Sequence, residues 1–196
     1  DIRPGLRLAP YDWMWNEAHY DAVFSRLSGR PTILTRMERN ADHVPDAEHP
    51  QWHGTVFDES TGCDGLGSDF RLSRRIMQER GGDVLVMPTL SGMFENFHLP
   101  CVPAAGQMAG KFARMRDENV TGWVDYDCGG IHRGLMLDLV SVVQHRPDSD
   151  VDGWLDALVQ QRYGTTQAAP AARRIWERFD QAVRLWPAQL DLAEIK

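Results

Sequence analysis

Carboxylate and aromatic side chains recur together in this sequence, each time directly after an apolar run. Cleavage of a glycosidic bond uses one protonated carboxylic acid and a second carboxylate. Trp and Tyr rings stack on the apolar faces of sugars, while Arg, Asn and Asp side chains bond sugar hydroxyls. This combination of residue types is therefore typical of a carbohydrate site.

Three carboxylates are the candidate catalytic groups. Glu95 lies in GMFENFHLP, where neighbouring aromatic residues could raise its pKa for acid catalysis, and its alternative is a loop carboxylate bound by backbone N–H groups. Glu38 stands between Arg36 and Arg39, so an ion-pair network explains it as well as catalysis does. Asp58 ends a predicted strand, and capping of a turn is its alternative role.

The candidate substrate-binding residues follow the same apolar runs. Glu17 has a structural alternative, because it can begin a helix where its charge suits the helix dipole. About half of the polar residues that follow the apolar runs are expected to be helix caps or loop residues rather than ligands of a substrate. The substrate-binding candidates are Trp13, Trp15, Glu17, Arg36, Asn96, His98, Trp123, Asp125 and Tyr126.

Two further motifs are interpreted structurally. His43, His49 and His53 lie around prolines in a predicted loop, with no helical spacing to fix a geometry, so we expect no metal site. The segment GCDGLGSD matches neither the dinucleotide-binding nor the P-loop pattern, and its aspartates would repel an anion. We therefore expect a turn there, and we expect no cofactor.

Alternating strand and helix patterns must position these residues. The helix signals are Asn16 as the cap of the first helix, Ser68 or Asp69 as the cap of the next, and Pro103 in the first turn of the third. Apolar and β-branched runs predict strands in GLRLAPYDWMWNE, PTILTRMERN, WHGTVFDES, DVLVMPTLSG and TGWVDYDCGG, with a loop in ADHVPDAEHPQ.

Strands that alternate with helices favour parallel pairing, in a doubly wound open sheet or in a barrel. We predict an α/β fold: residues 1–149 form about five βα units of a partial (β/α)8 TIM-type barrel, and residues 150–196 form C-terminal helices packed on it. Both architectures bind ligands at the C-terminal ends of the strands. The strands still needed for closure would belong to a missing N-terminal half or to another copy in a homo-oligomer.

Composition limits the function classes. A chain of 196 residues with 42% hydrophobic content can bury one core, and a formal charge of −7 argues against nucleic acid as the main partner. The sequence has no apolar run that could cross a bilayer and no secretion signal at its start, so we expect a soluble protein without a membrane partner. Its three cysteines form no CxxC pair, which favours free thiols and a cytoplasmic location.

Taken in order, the segments YDWMWNE, ILTRMERN, VFDES, GMFENFHLPCVPAAGQMAGKF and VTGWVDYDCGG resemble the later half of hexosaminidase-like and α-glucuronidase-like glycoside hydrolase barrels. The tail is similar as well, with a helix ending in RYG and then a helix that closes at Trp-Pro. The resemblance implies a glycosidase, or a C-terminal fragment of one, that cleaves a terminal sugar. It implies Glu95, Glu38 and Asp58 as carboxylates on neighbouring strand ends, and in many such barrels an acid/base group near Trp13 to Glu17.

Two other functions also fit the sequence. One is a non-catalytic carbohydrate-binding or structural barrel remnant, in which no two carboxyl groups have the separation of roughly 5 to 10 Å that hydrolysis needs. The other is an open-sheet α/β enzyme that binds a phosphorylated ligand, which predicts an anion at the turn from Gly62 to Ser68.

Overall fold

The computed structural model describes residues 8–13, 15–26, 29–43, 48, 54–56, 60, 62–90, 104–124, 135–145, 150–164 and 167–185. Over these ranges the protein is α/β. Its helices are α1 (Glu17–Phe24), α2 (Ser68–Glu79), α3 (Ala105–Asp117), α4 (Leu135–Val143), α5 (Val151–Tyr163) and α6 (Ala168–Leu185). Its strands are β1 (Thr32–Arg36), β2 (Asp42–His43), β3 (Gly54–Thr55), β4 (Asp83–Met87) and β5 (Gly122–Trp123). Among the described helices, none combines the length and the apolar character needed to cross a bilayer.

The larger sheet is parallel and keeps the order of the chain. β1 pairs with β4 and β4 pairs with β5, both in parallel. Tyr11 adds a parallel bridge to Leu34, held by hydrogen bonds from Leu34 N to Pro10 O and from Asp12 N to Leu34 O. The parallel segments therefore succeed one another across the sheet as they do in the sequence, and four of the predicted strand regions meet there.

The third predicted strand does not join this sheet. Instead β3 pairs in antiparallel fashion with β2, which lies in the segment predicted as a loop. The physical reason is the connection between them: a parallel partner requires a crossover of roughly a dozen residues or more, usually a helix. The sequence from His43 to Gly54 carries no helical pattern that could form such a crossover, which agrees with the antiparallel pairing of β2 and β3. The prediction of five equivalent βα units was wrong in this respect.

Helices α1, α2 and α3 share one face of the parallel sheet. Their side chains form a common core with Ile33, Val84 and Val86, to which α1 contributes Tyr20 and α2 contributes Phe70. Leu34 and Leu85 point to the other face, because side chains alternate along a strand, and they are partly exposed. The helices thus cover one side of the sheet.

A second core joins the C-terminal helices to the α/β part. Met108 of α3, Leu139 of α4, Leu155 of α5 and Trp176 of α6 are all buried in it. The two predicted tail helices are confirmed, and α5 ends at Gly164 in the left-handed conformation that glycine favours. Helix α6 buries only part of its apolar surface, because Ile175 remains 54% exposed.

Helix starts differ in how far they can be predicted. Asn16 caps α1 as expected, since its side chain accepts from His19 N and its own N–H donates to His19 Nδ1. The expected cap of α2 by Ser68 or Asp69 is wrong, because the cap position is Gly67 and makes no side-chain hydrogen bond. Asp69 instead accepts a hydrogen bond from Asn40 Nδ2 at 2.7 Å.

Helix α3 is capped by a residue from another helix. Its cap position, Ala104, has no side chain that could accept a hydrogen bond. Asp180 of α6 supplies the acceptor, because its Oδ1 receives Gly106 N at 2.8 Å and Gln107 N at 3.1 Å. A Cβ on Gly106 would lie 2.7 Å from Asp180 Oδ2, so a larger residue at this position would displace the capping carboxylate. This contact ties α6 to the first turn of α3, where a negative charge also suits the helix dipole.

Replacement of this cap should destabilise the protein measurably. We expect Asp180→Ala to lower the free energy of unfolding by about 1–2 kcal/mol, because two N–H groups lose their acceptor. Urea unfolding measures the change, with Gln181→Ala, an exposed position on the same helix, as the control. Equal stabilities of the two variants would show that Asp180 does not act as the cap.

Candidate functional site

The C-terminal edge of the parallel sheet is where a ligand site is expected, and two strand ends are joined there. Arg36 ends β1, is buried, and donates from Nε to the Tyr11 hydroxyl at 2.7 Å. Its guanidinium carbon also lies 5.8 Å from the centre of the Tyr11 ring. The structure therefore places Arg36 at the predicted edge, with an aromatic neighbour from the preceding parallel segment.

A fully buried ion pair lies beside this edge. Lys111 Nζ of α3 donates to Glu38 Oε1 at 2.5 Å, and the two side chains are 1% and 0% exposed. Lys111 Nζ also donates to the carbonyl oxygens of Ser60 and Thr89, each at 2.6 Å. Glu38 in turn accepts from Thr89 N at 3.0 Å and from Thr89 Oγ1 at 3.3 Å. We call Lys111, Glu38, Ser60 and Thr89 the Lys111 cluster.

The Lys111 cluster changes the interpretation of Glu38. The ion-pair alternative is supported, but the partner is Lys111 rather than Arg36 or Arg39. A carboxyl group with no exposed surface, one oxygen of which is bound to Lys111, is out of reach of a substrate. The structure therefore does not support Glu38 as a catalytic group, and its role is to join segments of the chain.

Lys111 was not singled out from the sequence, although a signal exists. The chain has only two lysines, Lys111 and Lys196, among many arginines. Lys111 also stands at helical spacing from the buried residues Met108 and Met115, on a buried side of the helix whose other polar residue is the uncharged Gln107. A lone lysine on a buried stripe indicates a satisfied internal charge.

Two of the aromatic candidates belong to the core. Trp15 packs edge-on against Tyr20, with ring centres 5.4 Å apart. Trp123 packs edge-on against Phe112 at 5.2 Å, because its register opposite Val86 turns its side chain towards the helices. Their predicted roles in substrate binding are not supported, and packing explains both. Trp13 is different, since it is 52% exposed and available to a ligand.

A cleft beside Trp123 has the wrong chemistry for glycoside cleavage. It encloses about 300 Å³ between α3, α4 and β5 and is lined by Phe112, Trp123 and Val143, among others. None of its described lining residues carries a carboxylate. Because hydrolysis needs two carboxyl groups, this cleft is not the candidate site.

Glu17 takes the structural role that was its alternative. It is the first residue of α1, where its charge suits the helix dipole, and it forms an exposed ion pair with Arg75 of α2. Six other predicted site residues lie outside the described residues and remain predictions: Glu95, Asp58, Asn96, His98, Asp125 and Tyr126. Each of them follows a described strand in the sequence.

Asp12 is a second buried carboxyl group, and its structural role was not predicted from the sequence. Its Oδ2 accepts from the Tyr20 hydroxyl at 2.7 Å and from Ser73 Oγ at 2.5 Å, and Ser73 Oγ also lies 3.3 Å from Thr35 Oγ1. Burial raises the pKa of Asp12, while the hydrogen bonds from these hydroxyls oppose the rise. The network joins the first parallel segment to α1, α2 and β1 on the helical side of the sheet.

Three N–H groups of the glycine-rich turn donate to acceptors within the chain. Gly67 N donates to Met37 O at 2.9 Å, Gly65 N to Cys63 Sγ at 3.4 Å, and Ser68 N to Asn40 O at 3.4 Å. A Cβ on Gly67 would lie 1.6 Å from Arg39 O, so glycine is required by close packing. These donors are occupied within the chain, which agrees with the predicted turn.

Two further reactive side chains in the described part of the chain, Cys63 and His43, are buried. Burial raises the pKa of the Cys63 thiol to about 11, which makes it a poor nucleophile. Burial lowers the pKa of His43, while His49 and His53 lie outside the described residues. Within the described part of the chain, no three His, Cys, Asp or Glu side chains are arranged to hold a metal ion.

Substitution of Asp12 should change how stability depends on pH. Because the folded pKa is raised, the stabilising contribution of Asp12 is complete below the unfolded pKa of about 3.9 and is lost as pH rises through the folded pKa. Asp12→Asn stays neutral, so we expect the stability of the wild type relative to the variant to fall from pH 4 to pH 7 (about three pH units). Urea unfolding across this range measures it, with exposed Asp117→Asn as the control. A constant difference would contradict the prediction.

Removal of the buried amine should be costly. We expect Lys111→Met to lower the free energy of unfolding by about 3–5 kcal/mol, because the Glu38 charge stays buried without a partner. Arg114→Met removes an exposed charge from the same helix and should cost less than about 0.5 kcal/mol. The double variant Glu38→Gln/Lys111→Met should regain much of the loss. Chemical denaturation of the three proteins tests this, and a mild loss in Lys111→Met would contradict it.

No family model, curated protein or solved structure matches this chain. Function therefore has to be argued from its own residues, from the order of its parallel strands and from the contacts at the strand ends.

Proposed function

We propose that this chain is a glycoside hydrolase, or the C-terminal part of one, that cleaves a terminal sugar at the C-terminal edge of its parallel sheet. The observation that carries the proposal is the strand order. Tyr11, β1, β4 and β5 lie side by side in chain order, so the segments that follow them emerge at one edge. The predicted carboxylates Glu95 and Asp125 come after β4 and β5 in the sequence.

The same order favours part of a barrel. In an open doubly wound sheet the strand order reverses at a switch point, whereas in a (β/α)8 barrel each strand neighbours the next one along the chain. The parallel segments described here follow the second pattern, and α1, α2 and α3 pack on one face. A partial TIM-type barrel is thus the architecture we propose, with its active site at the strand ends.

The chemistry at the edge supports a sugar ligand. Arg36 and Tyr11 lie together at the ends of neighbouring segments, and Trp13 presents an exposed ring just beyond Asp12. Guanidinium and phenol groups bond sugar hydroxyls, and an exposed indole provides a stacking surface. Since Glu38 is used in the Lys111 cluster, the proposed acid is Glu95, with Asp58 or a carboxylate after β5 as the second group.

The two alternative functions make different demands. The non-catalytic carbohydrate-binding protein needs the same aromatic and polar edge but no carboxyl pair, so binding without cleavage would distinguish it. The open-sheet enzyme with a phosphorylated ligand needs free donors at the glycine-rich turn, and the N–H groups of Gly65, Gly67 and Ser68 already have acceptors within the chain. The contacts therefore favour a carbohydrate over a phosphorylated ligand.

An assay with aryl glycosides tests the proposal. We expect the chain to release the aryl alcohol from at least one glycoside in a panel of neutral, amino and uronic sugars. Glu95→Gln should lower kcat by about 10²–10⁴-fold, because the leaving group loses its acid. Glu79→Gln, at an exposed position on α2, is the matched control and should retain the parent activity.

The outcomes separate the functions. If Glu95→Gln retains the parent activity, Glu95 is not the acid. If no glycoside is cleaved but tryptophan fluorescence reports binding of a free sugar, the non-catalytic alternative replaces the hydrolase.

A further inference from the structure

Two of the three acceptors of Lys111 belong to the backbone. Its ammonium group has three N–H donors, and they meet Glu38 Oε1, Ser60 O and Thr89 O at 2.5 to 2.6 Å. A buried ammonium group needs an acceptor for each donor, and here the carboxylate of Glu38 supplies only one of them. The other two contacts hold the backbone at Ser60 and Thr89.

The three acceptors come from separate parts of the chain. Glu38 follows β1, Ser60 follows β3, and Thr89 follows β4. Thr89 contacts two members of the cluster: its N–H and hydroxyl both donate to Glu38, and its carbonyl accepts from Lys111. One side chain from α3 therefore sets the relative positions of three segments near the edge where the substrate is proposed to bind.

We propose that Lys111 is a positioning residue for the reaction: through Thr89 it fixes the residues that directly follow β4, and it also fixes the position of Ser60 beyond β3. This inference rests on the proposed function. Lys111 itself touches no substrate, since its side chain is 1% exposed. Its effect on the reaction is geometric, and a shift of about 1 Å in a reacting group can cost about 10²-fold in rate.

The decisive experiment measures both the stability and the kcat of a variant in which the charges of Lys111 and Glu38 are both removed. Glu38→Gln/Lys111→Met leaves no unpaired buried charge, but the methionine side chain offers no N–H to the carbonyl groups of Ser60 and Thr89. We expect this double variant to regain much of the stability lost in Lys111→Met while its kcat stays about 10²-fold below that of the parent, with KM changed by less than about threefold. Arg114→Met, an exposed change on the same helix, is the control and should match the parent in both.

A purely structural role predicts the opposite result. If the double variant regains kcat together with its stability, the positioning role is wrong. If it is unfolded under the assay conditions, its kcat is measured with a stabilising osmolyte such as TMAO, in which a parent-like kcat would overturn the inference.

Amide exchange separates this inference from the proposed function. Loss of Lys111 should speed exchange of the Thr89 amide, which donates to Glu38, by about tenfold or more, while the amides of α5 change little. If the parent cleaves no glycoside, the proposed function fails, and faster exchange at Thr89 would still show that Lys111 orders this segment. Unchanged exchange at Thr89 would overturn the inference whatever the activity.

Discussion

A buried ammonium group lies where the parts of this protein meet. Helix α3 contributes Met115 to the core under the parallel sheet and Met108 to the core of the C-terminal helices, and Lys111 lies between them. Burial of a charge is costly unless every donor finds an acceptor. The three acceptors of Lys111 satisfy that condition only when the segments after β1, β3 and β4 are all in place. The cluster therefore makes the sheet edge, the hairpin and α3 depend on one another.

Local sequence patterns predicted the strands and helix caps that depend on residues close together in the sequence. β1 is rich in β-branched residues and β4 is apolar after its first residue, and both are confirmed as strands. Their direct parallel pairing was not predicted, because a third strand was expected between them. Asn16 was predictable as a cap because its partner, His19, is three residues away. The cap of α3 was not predictable, because its acceptor, Asp180, lies far along the chain. The hairpin of β2 and β3 was missed because two-residue strands leave almost no periodic signal.

The candidate site was predicted less well than the fold, and parity along the strands explains part of the difference. Residues at a strand end were taken together, although successive side chains point to opposite faces. Register opposite Val86 turns Trp123 towards the helices, while Arg36 lies on the face opposite to Ile33 and Thr35. Glu38 follows the strand and its neighbours in sequence are arginines, so its true partner on α3 could not be inferred from spacing. An aromatic or charged residue at a strand end is therefore evidence for a site only once its face is known.

Strand order also constrains where any ligand can bind. An open doubly wound sheet creates a crevice where the order reverses, and the described parallel segments contain no such reversal. A sheet in sequential order gains a concave site by curving towards closure, with the substrate over the strand ends. Leu34 and Leu85, adjacent on the face opposite the helices, are partly exposed apolar side chains of the kind that a barrel buries inside. The site proposed at this edge therefore depends on what lies over that face. The Lys111 cluster holds the residues that follow β1, β3 and β4 beside it.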